Sequence, residues 1–180
     1  MAPRKNQILS TALEIADEFG LDAVTMRAVA NRVGITPMAL YRHVEDKEAL
    51  LDGMLELAMS EVPAPPADLG WEARLTELAG GVRDMARRHP AAIGLAFSRP
   101  GYTPGVRRLV GAIHEAFADA GVPERHRARL ERMVSTFVVG FAVSEVSGRF
   151  PHDQAEGLAR EFARDLRDLM GVVRAVATED

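Results

Sequence analysis

Apolar positions recur at intervals of three and four along nearly the whole chain, and the strict alternation of a half-buried strand is missing. Ile8, Ala12, Ile15, Ala16 and Phe19 form a first helical stripe, stopped by Gly20. Thr25 caps a short second helix whose inner face is Met26, Val29, Ala30 and Val33, and Gly34 ends it. Thr36 followed by Pro37 is a cap plus a first-turn proline, so a third helix starts there. Asp46 caps a fourth, with Leu50, Leu51, Met54, Leu55 and Ala58 inward. Pro63, Pro65, Pro66 and Gly70 mark residues 62–70 as a linker. Beyond it the pattern predicts helices over 71–89, 91–98, 104–120, 123–147 and 152–176. The expected fold is all-α, with about nine helices.

The second and third helices are joined by a glycine-containing turn of about three residues, the connection of a helix-turn-helix. Ala30, Val33, Ile35 and Leu40 would lock the pair against the first helix. Leu40 and Val44 are core by spacing, so the outer face of the third helix offers Met38, Ala39, Tyr41, Arg42 and His43. We therefore divide the chain into a helix-turn-helix domain, 1–46, and a helical domain, 47–180. The second opens with a connecting helix, 46–61, and the linker.

Composition narrows the function. The 180 residues are 47% apolar and 27% charged, which suits one domain or two small ones and excludes wholesale disorder. The longest apolar runs, such as 137–143, fall far short of the ~20 residues that span a bilayer. No basic-then-apolar leader opens the sequence, so the expectation is a cytoplasmic protein without a membrane partner. The absence of cysteine excludes disulfides, thiolate zinc sites and cysteine nucleophiles. The sequence has no glycine-rich phosphate loop, no His-Glu-x-x-His and no Gly-x-Ser-x-Gly. His43, His89, His114, His126 and His152 share no metal-ligand spacing, so neither an enzyme, a metal nor a cofactor is expected. Net charge is −4, so any affinity for DNA must come from a local patch. The only two lysines, Lys5 and Lys47, both lie in the first third.

Residues 20–51 closely resemble the DNA-binding domain of TetR-type, tetracycline-repressor-like transcriptional regulators. Gly20, Thr25, Val29-Ala30, Val33-Gly34-Ile35, Leu40-Tyr41-Arg42-His43-Val44 and Lys47-Glu48-Ala49-Leu50-Leu51 carry the likeness in register. Val44 and Leu50-Leu51-Asp52 look most like the tetracycline-repressor branch. The resemblance implies a repressor that binds a pseudo-palindromic double-stranded operator as a homodimer and leaves it when a small effector binds. A ligand-independent or protein-regulated DNA-binding factor is the alternative. A helix fits the major groove, so Arg42 can make a bidentate contact to guanine, and Met38 and Ala39 can touch thymine methyls. Those two positions are often more polar in the family. Thr36 and Pro37 open the same helix. Tyr41 and His43 can donate to phosphate, and Thr25 sits where free helix N–H groups attract an anion. Arg4 and Lys5 could reach DNA from a flexible arm. Resemblance further implies that Arg27 reads a base and Lys47 holds a phosphate. Arg32 reads as a solvated surface charge.

The rest of the chain must then pair subunits and hold a signal. Leu130, Val134 and Val138 on one long helix, with Phe162, Leu166, Leu169 and Val173 on the last, are the dimer candidates. The competing reading is that these stripes fill the subunit core. A largely apolar effector would lie among residues chosen by type: Trp71, Met85, Phe97, Tyr102, His114, Phe117, Met133, Phe137 and Phe141. For each aromatic, ordinary core packing is the simpler account; His114 is the polar group singled out among them, and a surface or satisfied histidine is the simpler account of it. Gly80-Gly81 inside a helix suggests close packing or a kink beside a pocket.

Overall fold

A computed structural model describes residues 2–66, 68–98, 103–150 and 155–178, except for the side chains of 2–4, 97 and 155. Nine α-helices and one 3₁₀ turn make up these residues, with no strand among them. In chain order they are α1 (Ala2–Phe19), the turn Leu21–Ala23, α2 (Met26–Val33), α3 (Pro37–Tyr41) and α4 (Lys47–Ser60). Then follow α5 (Trp71–Arg88), α6 (Pro90–Ser98), α7 (Pro104–Asp119), α8 (Glu124–Val146) and α9 (Ala155–Ala177).

The expected caps are in place. Thr25 Oγ1 accepts from Ala28 N–H at 3.1 Å, Thr36 Oγ1 from Ala39 N–H at 3.2 Å, and Asp46 from Ala49 N–H at 2.7 Å. Gly34 ends α2 at φ 77°, the left-handed conformation that turns the chain towards α3. Two expectations change. Phe19 belongs to the first stripe by spacing but is 60% exposed, at the last position of α1. Arg4 and Lys5 are not on an arm: α1 runs back to Ala2, so both sit in its first turns. Lys5 is exposed there, and the Arg4 side chain lies outside the described residues.

Two apolar cores result. The first runs from Ile8, Ala12 and Leu13 of α1 through Val29, Leu40 and Val44 to Leu50, Met54 and Leu55 of α4. It continues to Met85 of α5, Ile93 of α6 and Leu109 of α7. The second joins Leu75 and Ala79 of α5 and Phe117 of α7 to α8 and α9. Here the candidates for subunit pairing find their place. Leu130, Val134, Val138, Phe162, Leu166 and Val173 are buried within the single chain, and Leu169 is half-buried against the same cluster. The α8 and α9 stripes face each other inside the one chain.

Polar links tie the layers. Arg83 of α5 donates twice to Glu145 of α8, both at 2.7 Å, and its guanidinium lies over the rings of Phe141 and Phe162. His89, at the end of α5, bridges Asp17 of α1 at 2.8 Å and Glu61 after α4 at 3.2 Å. Arg174 of α9 grips Glu72 of α5 with two bonds, at 2.6 and 2.7 Å. This hydrogen-bonded guanidinium, helped by its charge, holds the Glu72 carboxyl below its usual range. Helix α5 is unbroken through Gly80-Gly81. Gly81 permits close packing, since a Cβ there would stand 2.9 Å from Val62 Cγ1.

Candidate nucleic-acid interface and ligand cavity

The third helix divides its residues between core and solvent. Leu40 is fully buried and Val44 nearly so, which fixes α3 on α1 and α2. Met38 is 72% exposed and Tyr41 49% exposed, so the apolar Met38 side chain stands in water with nothing in its own chain to cover it. Thr36, Pro37 and Arg42 are exposed beside them, while Ala39 and His43 are half-buried. Tyr41 therefore presents an open face as well as packing. Lys5, Tyr41, Arg42 and His43 border one polar hollow, so the first turns of α1 and the end of α3 meet there. Thr25 and Arg27 are exposed at the start of α2, and Lys47 is exposed at the start of α4. Arg32 pairs with Glu18 at 2.8 Å, both about half in solvent, as a surface charge does.

This surface combines exposed cations, hydroxyl groups and two apolar side chains on a short helix that nothing else occupies. Such a helix, held by its neighbour at a fixed angle, has the dimensions of the major groove.

A cavity of about 180 Å³ lies where the two cores meet, among α5, α6, α7 and α8. Leu75, Leu78, Ile93, Leu109, Val134 and Val138 contribute to its apolar walls, Met59 of α4 closes one side, and Glu131 and Ser135 are its polar residues. None of the described candidates chosen by residue type forms this wall. Met85 and Phe117 are fully buried in the two cores. Phe137 and Phe141 pack on Phe162, at 5.7 and 5.1 Å between ring centres. Trp71 lies beneath Arg174, His114 is half-buried on α7 and Met133 is 38% exposed. Tyr102 and the Phe97 side chain lie outside the described residues. Among the described residues the cavity is walled mainly by aliphatic side chains. The available signal was the polar pair Glu131 and Ser135, one turn apart and beside the apolar stripe of Leu130, Val134 and Val138.

Helix α4 connects the two regions. It begins at Lys47 on the exposed surface and carries Met59 into the cavity wall. Its far end is clamped to α7. The Glu56 carboxylate accepts from the Gly105 N–H at 2.6 Å, and Arg108 donates to the carbonyls of Met59, at 2.9 Å, and Val62, at 3.2 Å.

A solvent-facing second helix of a helix-turn-helix, joined by one helix to a body with an apolar cavity, is the build of a helix-turn-helix transcriptional regulator. Two family models match the chain. That for bacterial regulatory proteins of the tetR family covers residues 8–54, and that for the tetracyclin repressor-like C-terminal domain covers residues 62–172. The chain belongs to the TetR family of transcriptional regulators.

Among its relatives, the HTH-type transcriptional repressor DrrR1 of Streptomyces coeruleorubidus is 33% identical over 143 residues, 78% of this chain and 53% of that protein. The chain thus spans about half the length of that relative. The class A tetracycline repressor from transposon 1721 of Escherichia coli is 30% identical over 150 residues, 79% of this chain and 67% of the repressor. The crystal structure of Mycobacterium smegmatis BioQ superposes with a TM-score of 0.82 at 27% identity, covering 96% of this chain and 98% of that one. BioQ is also solved with its natural double-stranded DNA operator, at a TM-score of 0.78 and 27% identity over 95% of this chain and 98% of that one. Among the described residues no helix is long and apolar enough to cross a membrane.

Proposed function

We propose that this chain is a ligand-released repressor that binds a pseudo-palindromic operator as a homodimer in the cytoplasm, acting by binding rather than by turnover. The observation that carries the reading is the reach of α4, from Lys47 on the exposed surface to Met59 in the cavity wall. The operator-bound structure of BioQ supports the DNA half, and the tetracycline repressor relative supports the effector half.

In this reading Arg42 contacts a base, Met38 and Ala39 touch thymine methyls, and Arg27 reads from α2. Tyr41, His43, Thr25, Lys47, Lys5 and Arg4 hold phosphates, and Thr36 and Pro37 set the start of the helix. The helix-turn-helix domain, 1–46, is the DNA-reading part, and 47–180 is the sensing and pairing part. Exposed faces of α8 and α9, rather than their buried stripes, pair the subunits. A small apolar effector in the cavity displaces α7 and α8. The clamp at Glu56 and Arg108 passes that displacement to α4, and the two recognition helices lose the half-site spacing. Couplings of this kind are typically ~1–3 kcal/mol, or about 5–150-fold in affinity.

Selecting bound duplexes from random DNA at low ionic strength tests the reading. The expected outcome is a two-fold symmetric motif whose half-site centres lie about one helical turn apart or a multiple of it. Recovery of an asymmetric motif, or of none, would overturn it.

A further inference from the structure

The cavity wall holds one group that apolar packing does not require. Glu131 is 7% exposed and faces the cavity. One of its carboxylate oxygens accepts a hydrogen bond from Ser135 Oγ at 2.8 Å, and Ser135 lines the same space. Among the described residues no cation pairs with Glu131, and Ser135 is its one hydrogen-bond partner. The side chains around it are aliphatic, including Leu75, Leu109, Val134 and Val138.

An ionised carboxylate only accepts hydrogen bonds, and burying it without an opposite charge is unfavourable. The arrangement is therefore incomplete in a particular way: it lacks a cationic donor. The remaining space is small. An apolar cavity of about 150 Å³ holds benzene, and this one is about 180 Å³. We propose that the cavity takes a small amphiphile with a protonated amine on an apolar body of about one ring, the ammonium group donating to Glu131. The proposal rests on the reading of this cavity as the effector site.

Three compounds of nearly the same shape test it on the full chain by titration calorimetry: benzylamine, benzyl alcohol and benzoate. The expected order puts benzylamine about tenfold tighter than benzyl alcohol, with benzoate weakest. Glu131→Gln removes the charge at constant size. It should bring benzylamine down to the alcohol's affinity and leave the alcohol unchanged, while Glu131→Asp should keep the amine preference. Should the glutamine variant not fold, the ranking on the native chain decides. Benzyl alcohol or benzoate binding as tightly as benzylamine, or a preference that survives Glu131→Gln, would overturn the role of Glu131 and leave the effector reading standing. No binding by any of the three overturns both. Amine binding through Glu131 that leaves operator affinity unchanged supports this inference and sinks ligand release.

Discussion

Arg42 and Lys47 differ in what their loss should do. Arg42 follows α3 on the exposed face, whereas Lys47 opens α4. Arg42→Ala should weaken binding to the selected operator by ~1–3 kcal/mol and relax the preference at one base pair. Fluorescence anisotropy against operators varied one position at a time would read this. Lys47→Ala should weaken every duplex alike and reduce the slope of affinity against salt by about one. An unaltered slope would remove Lys47 from the phosphate contacts. At this scale the solvent-facing side of α3 was legible, because Leu40 and Val44 set the inward side and Met38, Tyr41 and Arg42 had to point out. The cavity residues were not. Which of many buried aliphatic side chains borders a void depends on packing between α5, α7 and α8, and helical spacing alone carries no trace of that.

At the scale of elements, the helix starts follow from short-range chemistry. Thr25, Thr36 and Asp46 are each visible as caps from sequence, and each accepts the backbone bond three residues on. Asp46 fixes where α4 begins, and with it the position of Lys47. Asp46→Ala should destabilise the chain by about 1 kcal/mol, whereas Asp46→Asn, which keeps the cap, should cost a fraction of that. Urea unfolding of the two variants makes the comparison. Similar losses in both would mean that the negative charge, not the hydrogen bond, matters at this position. The stripes of α8 and α9 mark the point where pattern reading divides two ways. Spacing showed that Leu130, Val138, Phe162 and Leu166 are buried, but a period of three or four is the same whether the covering surface belongs to this subunit or to another. In the single chain α9 folds back along α8 and buries most of both stripes.

Across the whole molecule, long-range ion pairs hold the helical layers in register, and no local pattern announces them. Arg83 and Glu145 lie 62 residues apart in sequence and are both largely buried. Arg83→Met should destabilise the chain by on the order of 3 kcal/mol by leaving the Glu145 carboxylate without its main partner. Adding Glu145→Leu should restore much of that loss. A double variant as unstable as the two single losses combined would mean the pair is not acting as a unit. Glu72 and Arg174 make a more exposed clasp between α5 and α9. Because the Glu72 carboxyl is held below its usual range, its contribution is present above the ordinary carboxylate range and is lost as pH falls through the lowered value. A carboxyl-carbon NMR titration should place Glu72 below an exposed glutamate, and Arg174→Gln should return it to the ordinary position. As a surface pair, it should leave thermal stability at neutral pH nearly unaltered.

The joint between α4 and α7 has a consequence of its own. A methyl group at Gly105 would stand 2.8 Å from Met59 Cβ and 3.0 Å from a Glu56 carboxylate oxygen. The two helices therefore meet backbone against side chain, with no compliant layer between them to take up slack. In a ligand-released regulator such a joint has no backlash. Exchange of the aliphatic lining can retune which compound is sensed, while a bulkier residue at position 105 would force the gear teeth apart and leave sensing and release running independently.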